Sequence, residues 1–281
     1  MRSNCYSCVM PNMKREIDLI RGVNVGALPP TPSRSSFQNF RITALRDQMI
    51  AYASRYGFPI SYVQEQKGNL VQNIFPIKKN EVGQISTSSK VQLGLHTEAA
   101  FHPYKPSAVL LLCLRGDPEA ATTFAYVDEI VQHLSPMTIS TLTRPWFVTS
   151  IDESFRTQGE SNVEVTLSIL KEDGPFSNPV YELTYDETLM KAVNSQAEDA
   201  LHELKDVIDK CTYQVFLEQG DLLVLNNKTT IHGRTPFQPR YDGTDRWVQR
   251  ILAIDAVVPR AHKVGHMIIT QFNNKSVFTA L

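Results

Sequence analysis

Two short stretches of this 281-residue chain carry residue types that could do chemistry together: LGLHTEAAFH at 93–102 and NNKTTIHGRTPF at 226–237. Successive side chains on a strand alternate sides, so His96 and Glu98 share a face while Thr97 points away. One imidazole and one carboxylate then converge on a point. His232 is the candidate third ligand, because it follows the strongly apolar DLLVLNN and precedes Gly233. Two His and one carboxylate on one side of a metal leave the other side open. That arrangement suits Fe(II), which binds a bidentate cosubstrate and then O2. A zinc hydrolase is disfavoured, since H-E-x-x-H is absent.

By itself H-x-E is a weak motif, because such triplets arise by chance. Two arginines strengthen it. In RWVQRILAI, even spacing puts Arg246 and Arg250 on one strand face with Val248, Leu252 and Ile254. Guanidiniums among inward apolar residues are costly unless each meets a carboxylate. Arginine pairs bidentately with carboxylates, so two buried arginines suggest two bound carboxylates. The competing reading is a salt bridge from one arginine to Asp242 or Asp245, with the other exposed.

These groups need strands to carry them. Apolar runs at ISYVQ, NLVQNIFPI, SAVLLLCL, TTFAYV, YQVFLEQGDLLVLNN and RWVQRILAIDAVV read as strands, with Glu218–Asp221 as a turn joining two of them. Steps of three and four from Ile42 to Tyr56 predict an amphipathic helix over 41–57, stopped by Gly57. The same periodicity predicts a second helix over 187–210. The βαβ rhythm of a parallel sheet is missing. The expected fold is therefore mainly β with flanking α-helices, a sandwich or jelly roll. Residues 1–39, with a Pro/Ser-rich stretch, read as a lead-in, and 40–281 as a single domain.

Composition narrows the function classes. A formal net charge of −1 makes no electrostatic case for nucleic acid or an anionic membrane. No run of about eighteen apolar residues reads as a membrane span, and the N-terminus does not read as a secretory signal. Cys5 and Cys8 form a C-x-x-C without a second pair, Cys113 sits in an apolar run, and Cys211 stands alone. A reducing, cytoplasmic setting is the expectation. His102, His133, His202, His262 and His266 match no second metal motif and read as structural or exposed.

HTEAAFH, then TTFAYV, then GDLLVLNNKTTIHGRTPF and DRWVQR together resemble the clavaminate synthase-like branch of Fe(II)/2-oxoglutarate oxygenases, which includes hydroxylases of free amino acids. The resemblance runs from about residue 40 to the C-terminus. It implies a double-stranded β-helix (jelly roll) binding Fe(II), 2-oxoglutarate as cosubstrate, and O2. It implies that His96, Glu98 and His232 are the metal ligands. Arg246 matches the arginine that holds the distal carboxylate of 2-oxoglutarate, and Thr123, or else Thr122, matches its hydrogen-bonding partner. Arg250 matches the arginine that grips the substrate carboxylate. Gln64, Glu65 or Gln66, and Ser86 or Ser88, lie where relatives contact the amino-acid head group. Halogenation is disfavoured because the carboxylate ligand Glu98 is present.

In relatives using basic amino acids, acids ahead of the long helix reach the side-chain cation. Asp186, with Glu182 or Glu187, falls there, which implies a small-molecule substrate such as L-lysine or L-arginine. A competing role for Asp186 is a helix N-terminal acid. The polar segment 150–186 reads as a lid or as an ordinary surface loop. Desaturation or cyclisation, action on a carrier-tethered amino acid, and a non-catalytic jelly-roll binding protein are the alternative functions.

Overall fold

The computed structural model describes residues 17–33, 43–156, 163–173 and 179–269. The strands run in chain order: β1 (Ile17–Ile20), β2 (Phe58–Tyr62), β3 (Gln72–Ile74), β4 (Leu93–His96), β5 (Ala108–Arg115), β6 (Thr122–Tyr126), β7 (Phe147–Ser150), β8 (Glu164–Leu167), β9 (Leu170–Asp173), β10 (Val180–Leu183), β11 (Lys191–Ala192), β12 (Tyr213–Val215), β13 (Leu222–Asn226), β14 (Thr230–Arg234), β15 (Trp247–Ile254), β16 (Lys263–Val264) and β17 (Met267–Ile268). The helices are α1 (Thr43–Ala53), α2 (Val127–His133), α3 (Pro136–Leu142) and α4 (Ser195–Lys210).

Two sheets form the jelly roll. The larger has the order β1-β13-β5-β15-β2-β17-β16, with β3 also paired to β15; the smaller has the order β12-β6-β14-β4. Side-chain alternation divides each strand between two layers. On β15, Val248, Leu252 and Ile254 enter a central core with Val109, Leu111 and Cys113 of β5 and Phe124 of β6. Trp247, Ile251 and Ala253 face the other way, onto Leu45, Met49 and Ala53 of α1. The smaller sheet turns Leu95, Ala125 and Ile231 outward onto α2, α3 and α4. The layers are thus helix, large sheet, small sheet, helices, and the metal-ligand candidates point into the space between the sheets.

Two differences from the sequence expectations have local causes. Ile17–Ile20, placed in the lead-in, pairs with β13 and buries Ile17. Four residues are too few for their alternation to stand out. The second helix starts at Ser195 rather than 187, because the Asn194 side chain accepts from Ala197 N at 2.9 Å and caps it. The residues ahead of it pair with β7 as β11. The Glu218–Asp221 turn joins two strands as expected, β12 of one sheet and β13 of the other. Its Gly220, at φ +86°, passes so close to the chain that a Cβ would lie 2.7 Å from Val23 O.

The segment 150–186 holds the β8, β9 and β10 hairpin strands, though 157–162 and 174–178 lie outside the described residues, as do Cys5 and Cys8. Among the described residues no helix is long and apolar enough to cross a membrane.

Candidate active site

β4 and β14 are neighbours, and His96 stands directly opposite His232. Their ring centroids are 4.6 Å apart. The close approach depends on Gly233, where a Cβ would sit 2.5 Å from Leu93 O. Glu98 is held from behind by Asn227, whose Oδ1 accepts from Glu98 N at 2.8 Å and whose Nδ2 donates to Glu98 O at 3.1 Å. Thr97 points away as alternation requires, donating to Leu183 O at 3.1 Å. Ligand atoms of His96, Glu98 and His232 all lie within 4.8 Å of one another.

The protonation pattern suits a metal. His96 Nδ1 lies 2.8 Å from Gly94 O, so it carries the proton and leaves Nε2 with its lone pair. Burial, helped by His96 and Arg250, holds the His232 pKa well below the ordinary histidine range, so it stays neutral. Glu98 Oε2 is buried with no hydrogen-bond partner among the described residues and faces His232 Nε2 at 3.8 Å. Buried polar atoms are seldom left so, and a cation shared with the two imidazoles would satisfy it. The residues present therefore fit a divalent metal of the 2-His-1-carboxylate type.

Two cavities flank this triad. The inner one, about 50 Å³, is bounded by Leu111, Thr122, Arg234, Arg246, Val248 and the triad itself. Arg246 is buried, and no hydrogen bond or ion pair to its guanidinium occurs among the described residues. Burial lowers its pKa, with Cys113 and Asp117 opposing. The salt-bridge alternative fails. Asp245 accepts instead from the backbone N–H groups of Arg240 and Tyr241 at 2.6 and 2.7 Å, and Asp242 accepts from Thr244. The expectation for Thr123 is corrected. Thr122 stands opposite Arg234 and Phe124 opposite His232, so these share the inner face, whereas Thr123 stands opposite Gly233 and faces away. Thr122 Oγ1 and Thr123 Oγ1 are both buried without a hydrogen-bond partner among the described residues, but only Thr122 lines the inner cavity.

The outer cavity, about 170 Å³, is bounded by Glu65, Ser86, Asp152, Asp186 and Arg250 beside His96 and Glu98. Arg250 is fully engaged. It donates to Glu98 Oε1 at 2.8 Å, to Glu65 Oε1 at 2.7 Å and, through Nε, to Gln72 Oε1 at 3.0 Å. Burial works against its charge, but Glu65 and Glu98 more than offset that and raise its pKa. Arg250 and the metal would thus take different oxygens of Glu98.

Of the head-group candidates, Glu65 and Ser86 reach this cavity, whereas Gln64 lines neither cavity. Gln66 clamps Asn73 of β3, and Ser88 accepts from Arg234. Asp186 Oδ1 accepts from Thr188 N, Thr188 Oγ1 and Leu189 N, so it caps that turn and not α4. Its Oδ2 has no hydrogen bond among the described residues. Glu187 is drawn off by Leu95 N and Lys205, and Glu182 by Lys171 and Lys228, so neither joins Asp186. Asp152 takes that place instead. Burial, with Glu65 and Asp186 adding to it, pushes its carboxyl up to about 6. Sequence reading missed Asp152, Gln72 and Arg234. Arg234 alone had a signal, its two-residue step from His232. His102 is buried, and desolvation lowers its pKa to about 3, in keeping with a neutral structural role.

The chain is similar to proteins of known activity. It is 34% identical over 240 residues to an L-asparagine oxygenase of Streptomyces coelicolor, covering 84% of this chain and 70% of that one. It is 32% identical over 243 residues to an L-lysine 3-hydroxylase of Catenulispora acidiphila, covering 83% and 65%. A crystal structure of an asparagine oxygenase with Fe(II), 2S,3S-3-hydroxyasparagine and succinate superposes with a TM-score of 0.82 at 34% identity, covering 91% of this chain and 80% of that one. The non-heme iron oxygenase OrfP with Fe and alpha-ketoglutaric acid superposes with a TM-score of 0.80 at 29% identity, covering 91% and 81%. Residues 36–252 match the family described as taurine catabolism dioxygenase TauD, TfdA family. Inward histidines and a carboxylate between two stacked sheets, together with these likenesses, place the chain in the TauD/TfdA dioxygenase family.

Proposed function

We propose that the protein is an Fe(II)- and 2-oxoglutarate-dependent dioxygenase that hydroxylates a free, basic L-amino acid such as lysine or arginine. The observation that carries this reading is the pair of unlike cavities on either side of the triad. The inner one presents Arg246, which has no ion-pair partner among the described residues, and the outer one presents acids around Arg250, which borders both. A keto-diacid needs a cation at its far end, and an amino acid with a cationic side chain needs one cation and several anions. The L-lysine 3-hydroxylase and the L-ornithine/L-arginine 3-hydroxylase among the relatives support the basic substrate class.

His96, Glu98 and His232 would hold the iron. With 2-oxoglutarate and O2, the iron supplies oxidation: the keto acid is split to succinate and CO2, and the second oxygen atom ends as a hydroxyl on the substrate. Arg246 anchors the distal carboxylate, and Thr122 Oγ1 donates to it. Arg250 holds the substrate carboxylate and Glu65 the α-ammonium, which aims the side chain past the metal. Asp152 and Asp186 receive the side-chain cation. Asp152 and Ser154 help wall the outer cavity, consistent with 150–156 forming part of a cover over it.

The test is a panel of free amino acids incubated with Fe(II), 2-oxoglutarate and O2, scored for succinate and product mass. Lysine, arginine or ornithine should gain one oxygen per succinate released. A product lacking two hydrogens would mean desaturation. Turnover of asparagine with no response to any basic amino acid would overturn the substrate class.

A further inference from the structure

Arg234 has no place in the scheme above. It lies on β14 two residues beyond His232, on the same face, and is 4% exposed. Among the described residues it meets no carboxylate. Its donors go to neutral atoms of the segment before β4: Ser88 Oγ at 3.0 Å, Val91 O at 3.2 Å and Ser89 O at 3.4 Å. The guanidinium lies over the Phe237 ring, 5.0 Å from its centroid. Its Nε is buried without a hydrogen-bond partner among the described residues. It lines the inner cavity together with Arg246.

Arg234, Arg246 and Arg250 all border this small cavity, and among the described residues only Arg250 has an ion-pair partner. Two buried guanidiniums without one are an expensive arrangement. Arginine keeps its charge at neutral pH even when buried, so the two guanidiniums repel each other across the cavity. An arriving anion relieves that repulsion as well as gaining its own contacts. The opposite arrangement at Arg250, where protein carboxylates already neutralise the charge, shows that this fold supplies acids to a buried arginine elsewhere.

We propose that Arg234 is a second cation of the cosubstrate site, adding its field to that of Arg246 at the distal carboxylate of the keto-diacid. This rests on the oxygenase reading above. Arg234 acts as a positioning residue: its Nη1 and Nη2 donate to the 88–91 segment, which leaves only Nε, so its contribution is charge at short range rather than a bidentate grip. The same bonds keep Ser86, which borders both cavities, in place at the junction.

The experiment is anaerobic titration of the Fe(II)-loaded protein with 2-oxoglutarate and with 2-oxopentanoate, which has a methyl group where the distal carboxylate would be, read by the visible charge-transfer band. Arg234→Gln removes the charge but still donates to the loop. It should weaken 2-oxoglutarate by about tenfold or more and 2-oxopentanoate by less than about twofold. Arg234→Lys keeps the charge and loses the fork. It should retain the preference for the diacid to within about threefold of wild type. Equal losses for both ligands in Arg234→Gln, or no loss, would overturn the proposal. Should Arg234→Gln fail to fold, a lysine variant without the preference overturns it equally. A wild-type protein that binds neither keto acid would refute the oxygenase reading itself, and this inference with it.

Discussion

Arg246 and Arg250 lie four residues apart on one strand face and are equally buried, at 7% exposure each, yet their surroundings are opposite. Arg250 is neutralised by Glu65 and Glu98 and braced by Gln72. Arg246 faces a cavity with no acid bonded to it among the described residues. The charge of Arg250 is balanced by the protein before any substrate carboxylate arrives, whereas that of Arg246 would be balanced only by a ligand. The difference separates an arginine held in place by protein acids from one that waits for an anion.

The strongest way to break this contrast is Arg250→Met. It strands Glu65 and Glu98 as buried, unpaired carboxylates, and the metal-free protein should lose about 3–5 kcal/mol of stability in denaturant unfolding. Arg246→Met should do the reverse. The unfolding midpoint should not fall, while the KM for 2-oxoglutarate should rise about 10- to 100-fold, as for a lost hydrogen bond to a charged group. If the two variants behave alike, the contrast is wrong.

Asp186→Asn sharpens the outer end. kcat/KM for the basic substrate should fall about tenfold or more, with uncoupled 2-oxoglutarate decay unchanged. Equal effects on both would place Asp186 in the structure rather than in recognition.

Asp152 adds a pH test with two signs. Its pKa is raised to about 6 by burial, so between about pH 4 and 6 the folded protein holds more protons than the unfolded chain. Stability from this group therefore rises as pH falls through that window and is absent above it. Binding of a cationic side chain needs the carboxylate, so kcat/KM should fall as pH falls through about 6. Asp152→Asn should flatten both profiles. The smallest effect separates two adjacent threonines: Thr122→Val should raise the KM for 2-oxoglutarate about three- to tenfold, and Thr123→Val by less than about twofold.

Much of this site was legible because strand alternation is a strict rule. His96 with Glu98, and Arg246 with Arg250, follow from a period of two, and their faces agree with the structure. Thr122 and Thr123 show the limit of that rule. Either one can face inward until the register against β14 is known, and register is a property of two strands. Asp152 illustrates a different limit. It enters the cavity from a polar, aperiodic segment, and only three-dimensional packing reveals that its neighbours raise its pKa. The start of α4 was misplaced because apolar spacing continued upstream, and the asparagine cap overrode it. Glu65 and Gln72 meet Arg250 from separate elements, a convergence no spacing in the chain encodes.

The central claim is that one iron atom and one keto-diacid complete the inner face, and the most direct measurement is anaerobic titration of the wild-type protein with Fe(II) and 2-oxoglutarate. A visible charge-transfer band saturating at one iron and one 2-oxoglutarate per chain is expected, abolished by His232→Ala and shifted to higher 2-oxoglutarate concentration by Arg246→Met. A folded wild-type protein that develops no such band, or a His232→Ala variant that retains it, would contradict the account.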